Sequence, residues 1–192
     1  MKHLPNLALI TILLAQAAAA QAAEPSPPEG FRAIFNGKDL SGWHGLNPHS
    51  AARLTGEKKE ANLEQQRADF PEHWRVEDGE LVNDGHGPYA TSDEEFGDIE
   101  LRIEYKTVPK ADSGIYLRGT PQIQIWDPWD PRTRPGTDPP SDATAWVAAF
   151  TNGRNLGSGG LWNNRRWRNA PTELADKRPG EWTTFFIRMV GE

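Results

Sequence analysis

The chain has no cysteine, so it has no disulfide to staple it and no thiolate to act as nucleophile or metal ligand. It has no Gly-x-Ser-x-Gly and no His-Glu-x-x-His, which leaves serine-hydrolase and zincin chemistry without support. Gly157-Ser-Gly-Gly160 is not followed by Gly-Lys-Ser/Thr, so it is not a nucleotide loop. Positive charge is short: 21 Lys and Arg stand against 27 Asp and Glu, a formal net charge of −6. That balance argues against general nucleic-acid binding and makes Arg165, Arg166 and Arg168 around Trp167 a local surface cluster. Long apolar runs are missing beyond the N-terminus. There, Leu7 to Ala15 is apolar apart from Thr11 and too short to span a bilayer comfortably.

What is present begins with that run. Lys2 and His3 precede it, and Ala20-Gln-Ala22 supplies the small residues of a cleavage site. The pattern predicts a secretory signal peptide over residues 1–23 and export to the periplasm or the medium. No cysteine follows the run to take a lipid. Residues 24–30 read as a Pro-rich linker, and residues 31–192 as one domain large enough for a core.

Within that domain, 18 glycines and 16 prolines divide the chain into short segments. Phe31 to Phe35 reads as a short strand before an Asn36-Gly37 turn, and Leu40 to Trp43 leads into a second element. Ser50 to Phe70 is polar, with Leu54, Ala61 and Ala68 at seven-residue intervals. It predicts an exposed helix from near Thr55. Trp74 to Val82 reads as a hairpin turning at Asp78-Gly79. Tyr89 to Thr91 is a short strand, and Asp98 to Lys106 alternates with Ile99, Leu101, Ile103 and Tyr105 on one face. Tyr105 to Asp127 contains two antiparallel strands joined at Gly119-Thr120-Pro121. Asp127 to Ala145 is a long Pro- and Asp-rich excursion. Trp146 to Phe150, the segment from Gly157 to Trp162, and Trp182 to Val190 complete the strands. This is an all-β pattern, a sandwich or jelly roll with one polar helical insertion. Gly191-Glu192 follows an apolar strand directly, and the pattern predicts a domain that continues past Glu192.

Period-two alternation sorts the Tyr105–Asp127 hairpin into two faces. Ile115, Leu117, Ile123 and Ile125 suit a core. Tyr116, Arg118, Gln122, Gln124 and Trp126 fall on the other face, joined by Glu104 if sequential strands are neighbours. Arg offers a fork of donors, Gln donates and accepts as a sugar hydroxyl does, and aromatic rings cover the apolar face of a pyranose. Trp162, one of eight tryptophans, is a further sugar platform. The alternative is a solvated sheet face with an Arg–Glu pair across strands. His86, between glycines in a loop, is a candidate acid, base or ligand. Asp127, Asp130, Asp138 and Asp142 are oxygen donors without EF-hand spacing.

Six segments in order carry a family resemblance: Phe35-Asn-Gly-Lys-Asp-Leu-Ser-Gly-Trp43, Trp74-Arg-Val-Glu-Asp-Gly-Glu-Leu81, Asp98-Ile-Glu-Leu-Arg-Ile-Glu-Tyr105, Ser113-Gly-Ile-Tyr-Leu-Arg118, Gln122-Ile-Gln-Ile-Trp-Asp127 and Pro179-Gly-Glu-Trp182. Together they resemble the 3-keto-disaccharide hydrolase domain, also described as a 3-keto-glucoside 1,2-lyase/3-keto-2-hydroxy-glucal hydratase. The resemblance implies an exported domain with a concanavalin/laminin-G-like jelly roll, continuing past the last strand into a closing hairpin. It implies cleavage of a 3-keto-glucoside by C2 proton abstraction, β-elimination and hydration. Many members have Glu where this chain has Gln122, which moves the expected base to Glu104 or His86. Arg118 and Gln124 are then the expected oxyanion partners, with a divalent ion as the alternative electrophile, and Asp127 is a candidate acid or metal ligand. Tyr116, Gln122, Gln124, Trp126 and Trp162 are the expected substrate contacts. The expected partner is a small glycoside, with neither nucleic acid nor a membrane span in the processed chain. The reading of different class is a non-catalytic carbohydrate-binding module on the same fold.

Overall fold

The computed structural model describes residues 26–119, 121–129, 157–162 and 171–191. The expected signal peptide, most of the Asp-rich excursion and the Trp146–Phe150 strand lie outside them. Contacts divide the chain into two compact units. One takes in the chain up to Leu46 with Glu60–Ser92. The other takes in Asn47–Lys59 and the chain from Asp93 onward.

The first unit holds two small antiparallel sheets and most of a helix. Strand β1 (Trp43–Gly45) pairs with β4 (Ala90–Ser92). Strands β2 (Trp74–Glu77) and β3 (Glu80–Asn83) form the expected hairpin. Its two turn residues, Asp78 at φ 50° and Gly79 at φ 82°, adopt the left-handed conformation that a two-residue hairpin needs. Helix α2 (Gly56–His73) matches the expected polar helix. Its inward face runs through Gln66 and Phe70, whereas Ala61 and Ala68 are exposed. At Gly45 the helix comes close: an added Cβ would stand 2.2 Å from the Gln66 carbonyl oxygen and 2.8 Å from the Phe70 Cβ. Phe31 to Phe35 is irregular, contrary to the strand expected there. Asn36 instead organises a turn just after it, its Oδ1 accepting from the Lys38 and Asp39 amides at 2.8 and 3.0 Å.

The second unit holds the short helix α1 (Pro48–Ala51) and two sheets. Strand β5 (Ile99–Lys106) pairs along its length with β9 (Trp182–Met189). Ile99, Leu101, Ile103 and Tyr105 share one half-buried face with Phe185, Ile187 and Met189, as the alternation predicts. The other sheet runs β6 (Asp112–Tyr116), β7 (Gln122–Trp126), β8 (Leu161–Trp162), all antiparallel. Ile123 and Ile125 are its buried apolar residues. The described strands form three two-stranded sheets and one three-stranded sheet. The architecture is mostly β, with helix confined to α1 and α2 among the described residues. No helix among those residues is long and apolar enough to cross a membrane.

Candidate functional site

The β6–β7–β8 sheet brings three expected sugar contacts into one row. Tyr116 lies opposite Gln122, and Gln122 lies opposite Trp162. Residues directly opposite in antiparallel strands share a face. The row therefore presents an aromatic ring, an amide and a second aromatic ring in sequence. It crosses two interstrand steps, about 9.5 Å. Trp162 is 38% exposed, while Tyr116 and Gln122 are half-buried. The Gln122 amide lies flat over Gly114, its Nε2 donating to the Ser113 carbonyl at 3.3 Å. Only a glycine leaves room for it: a Cβ at 114 would stand 2.2 Å from that nitrogen.

The face closes one step further along. Gln124 is 3% exposed, and its amide donates to Asp112 Oδ1 at 3.0 Å and to the Ile125 carbonyl at 3.1 Å. It shares the phase of Gln122 but is internal, so it is not placed to meet a ligand from solvent. Its backbone is clasped by the glycine corner before β8, through Gly160 and Gly159. Trp126 is half-buried at the end of the same strand, its amide held by Ser158 Oγ at 3.0 Å.

The expected meeting of Glu104 and Arg118 does not occur. Strand β5 pairs with β9, not with β6 or β7, so sequential order failed as a guide to adjacency. Glu104 lies on the outward face of the β5–β9 sheet and accepts from Thr184 Oγ1 at 3.2 Å. That face also carries the Glu100–Arg188 ion pair and Lys106 over the Trp182 ring. Arg118 has left the strand, with φ 52° in the hairpin loop. Its guanidinium donates to the Gly191 carbonyl and to Asp98 Oδ1, the latter at 3.2 Å. Asp98 stands six residues before Glu104, roughly 20 Å along an extended strand. Arg118 thus ties the β6–β7 loop to the start of β5, its guanidinium engaged by Asp98 and Gly191 and not by Glu104.

Asp127 is 3% exposed, with both carboxylate oxygens engaged by backbone amides. Oδ2 accepts from Lys110 at 2.7 Å and Oδ1 from Trp129 at 2.9 Å. This is a loop clamp, which differs from the free acid or metal ligand expected. Nearby, Ser158 N–H donates to Asp176 at 3.0 Å. Burial pushes the Asp176 carboxyl above its ordinary value. Burial likewise pushes the Tyr105 phenol up to about 12. The neighbouring Ser158 and Thr183 side chains act in the opposite direction without overcoming that burial.

His86 belongs to the first unit. Its amide donates to Asp84 Oδ1 at 2.9 Å, and its ring lies 6.2 Å from that of His73. His73 Nδ1 is 3.0 Å from Asp84 Oδ2. That contact holds the Asp84 carboxyl below its usual range. The sequence reading missed His73, although the hairpin register predicts it: continuing the Asp78-Gly79 turn outward past Trp74 and Asn83 sets His73 opposite Asp84.

His49 was also missed. It sits in α1, where Asn47 caps the helix by accepting from the His49 amide at 3.0 Å and Pro48 occupies the first turn. Its exposed ring stands edge-on to Tyr116, with centroids 5.1 Å apart and planes at 63°. The Asn-Pro start of a helix was a readable signal for where this histidine sits, but not for its partner. Among the described residues no group of three or more His, Asp or Glu side chains is placed to hold a metal ion. The divalent-ion alternative therefore has no donor set there.

The sequence profile of one family, described as a 3-keto-alpha-glucoside-1,2-lyase-like domain, matches residues 30–192. Comparison with curated proteins and with solved structures gives no match.

Proposed function

The chain belongs to the 3-keto-alpha-glucoside-1,2-lyase-like domain family, and on that premise we propose that it cleaves 3-keto-glucosides or 3-keto-disaccharides after export from the cell. The observation that carries the reading is the row Tyr116–Gln122–Trp162. Two rings flanking an amide suit a pyranose, whose axial hydrogens pack on aromatic faces while its hydroxyls exchange hydrogen bonds with the amide.

The chemistry follows from the ketone. A carbonyl at C3 acidifies the C2 hydrogen. Removing that proton gives an enolate, and the enolate expels the C1 substituent. Water then adds across the resulting glucal, so the net change is hydrolysis. The finer architecture, a jelly-roll sandwich, belongs to the same proposal. The antiparallel pairing of every described strand supports it.

A binding module would use the same row without chemistry, and the absence of Glu104 from that row is the observation that favours this second reading. The two separate on one measurement. Incubation with a 3-keto-disaccharide is expected to produce a transient ultraviolet absorbance from the conjugated enone, followed by free sugars. Binding with an unchanged spectrum and no released sugar would refute the enzymatic reading.

A further inference from the structure

We propose that His49 is the proton-transferring residue of this site. The inference rests on the functional reading above and adds to it the identity of the group that moves the proton. Tyr116, Gln122 and Trp162 can position a sugar, but none exchanges a proton readily near neutral pH. An imidazole does. His49 meets the row directly, through its ring contact with Tyr116 at 5.1 Å. It is exposed, and its backbone is fixed by the Asn47 cap. It lies in the same compact unit as the three row residues.

The other titratable candidates are otherwise engaged. Asp112, four residues before Tyr116 on the same strand face, accepts from the buried Gln124 amide. Both oxygens of Asp127 hold backbone amides. Glu104 is on the other sheet, bonded to Thr184. Tyr116 is the titratable side chain against which the His49 ring is seated, and a phenol ionises well above neutrality.

The step balances without an oxidant or reductant. The C2–H bond breaks, and its proton passes to an imidazole nitrogen of His49. The bonding pair becomes the C2=C3 bond of an enolate with its charge on O3. The ketone re-forms, the C1=C2 bond forms, and the C1–O bond breaks. The departing oxygen takes the proton from the imidazolium, which restores neutral His49. Water then delivers hydroxyl to C1 and hydrogen to C2. One 3-keto-glucoside and one water give the free 3-keto sugar and the released aglycone, which is a second sugar when the substrate is a disaccharide.

The test uses the full chain with a 3-keto-glucoside, measuring C2 proton exchange with deuterated solvent alongside cleavage. His49→Gln is expected to slow both by about 100-fold or more, the range for loss of a positioned acid–base group. It should also remove the acidic limb of the kcat/KM pH profile. Binding of the non-cleavable 3-hydroxy glycoside, read by tryptophan fluorescence, should stay within a few-fold. His49→Ala should regain activity when free imidazole is added, which a merely structural role would not allow. A His49→Gln variant that exchanges and cleaves like the wild type overturns the assignment, as does an inactive His49→Ala that imidazole fails to rescue. A wild type that leaves the 3-keto-glucoside intact removes the functional reading itself, and the two failures appear in different arms.

Discussion

The Gln122 side chain lies across the backbone of Gly114, so closely that a methyl group at 114 would overlap the amide nitrogen. The row on which the functional reading rests therefore depends on an absent side chain. Gly114→Ala should push the Gln122 amide away while sparing the strand, since the atoms that must yield belong to a flexible side chain. A hydrogen bond contributes about 0.5–1.5 kcal/mol net. The expected result is a several-fold to about tenfold loss of glycoside affinity with little change in melting temperature, measured by fluorescence titration and thermal unfolding.

Glu104 sits on the outward face of the β5–β9 sheet and bonds Thr184. Its replacement by Gln should leave cleavage of a 3-keto-disaccharide within about twofold of wild type. Exposed polar pairs of this kind contribute less than about 1 kcal/mol, so stability should hardly move. A large loss of kcat would return Glu104 to the list of bases.

Asp127 holds two backbone amides in a buried position. Asp127→Ala should leave both donors without their acceptor, at about 1–3 kcal/mol in total, since both bonds are only part-buried. Urea unfolding should show a lower midpoint. At low temperature, where the variant remains folded, its turnover should stay close to wild type. Selective loss of turnover without loss of stability would contradict the clamp.

Asp176 carries a carboxyl whose pKa burial raises above its ordinary value. The folded chain thus binds this proton more tightly than the unfolded chain does. The stabilisation is fully present below the unfolded pKa and declines as pH rises through the folded one. Asp176→Asn keeps an oxygen for the Ser158 amide but cannot ionise. It should be at least as stable as wild type at neutral pH, with its advantage shrinking as pH falls towards 4 and below. Melting temperatures across that range check this, and a steady advantage at every pH would refute it.

The parts of this fold that local rules govern were legible in advance. The Asp78-Gly79 turn set the β2–β3 register, and strict alternation gave the inner face of β5. The polar composition gave α2 to within a residue or two at its start. What could not be read was which strand neighbours which. Strand β5 found its partner in β9, some eighty residues on, because sheet order is decided by the whole core and not by any short segment. That displaced Glu104. Arg118 was lost differently: alternation assumes an extended backbone, and at φ 52° the chain has already turned. Gln124 kept its predicted phase, yet phase does not report whether another layer covers that face. His49 needed a contact between a four-residue helix and a strand far along the chain, which no local pattern encodes.

The close seat of α2 at Gly45 has a practical side. The helix is held there by shape, through Gln66 and Phe70, while much of its circumference meets solvent. Surface residues such as Lys58, Gln65 and Arg67 thus offer attachment points for a dye or a tether. The contact at Gly45 is the spot that protein engineers should leave untouched.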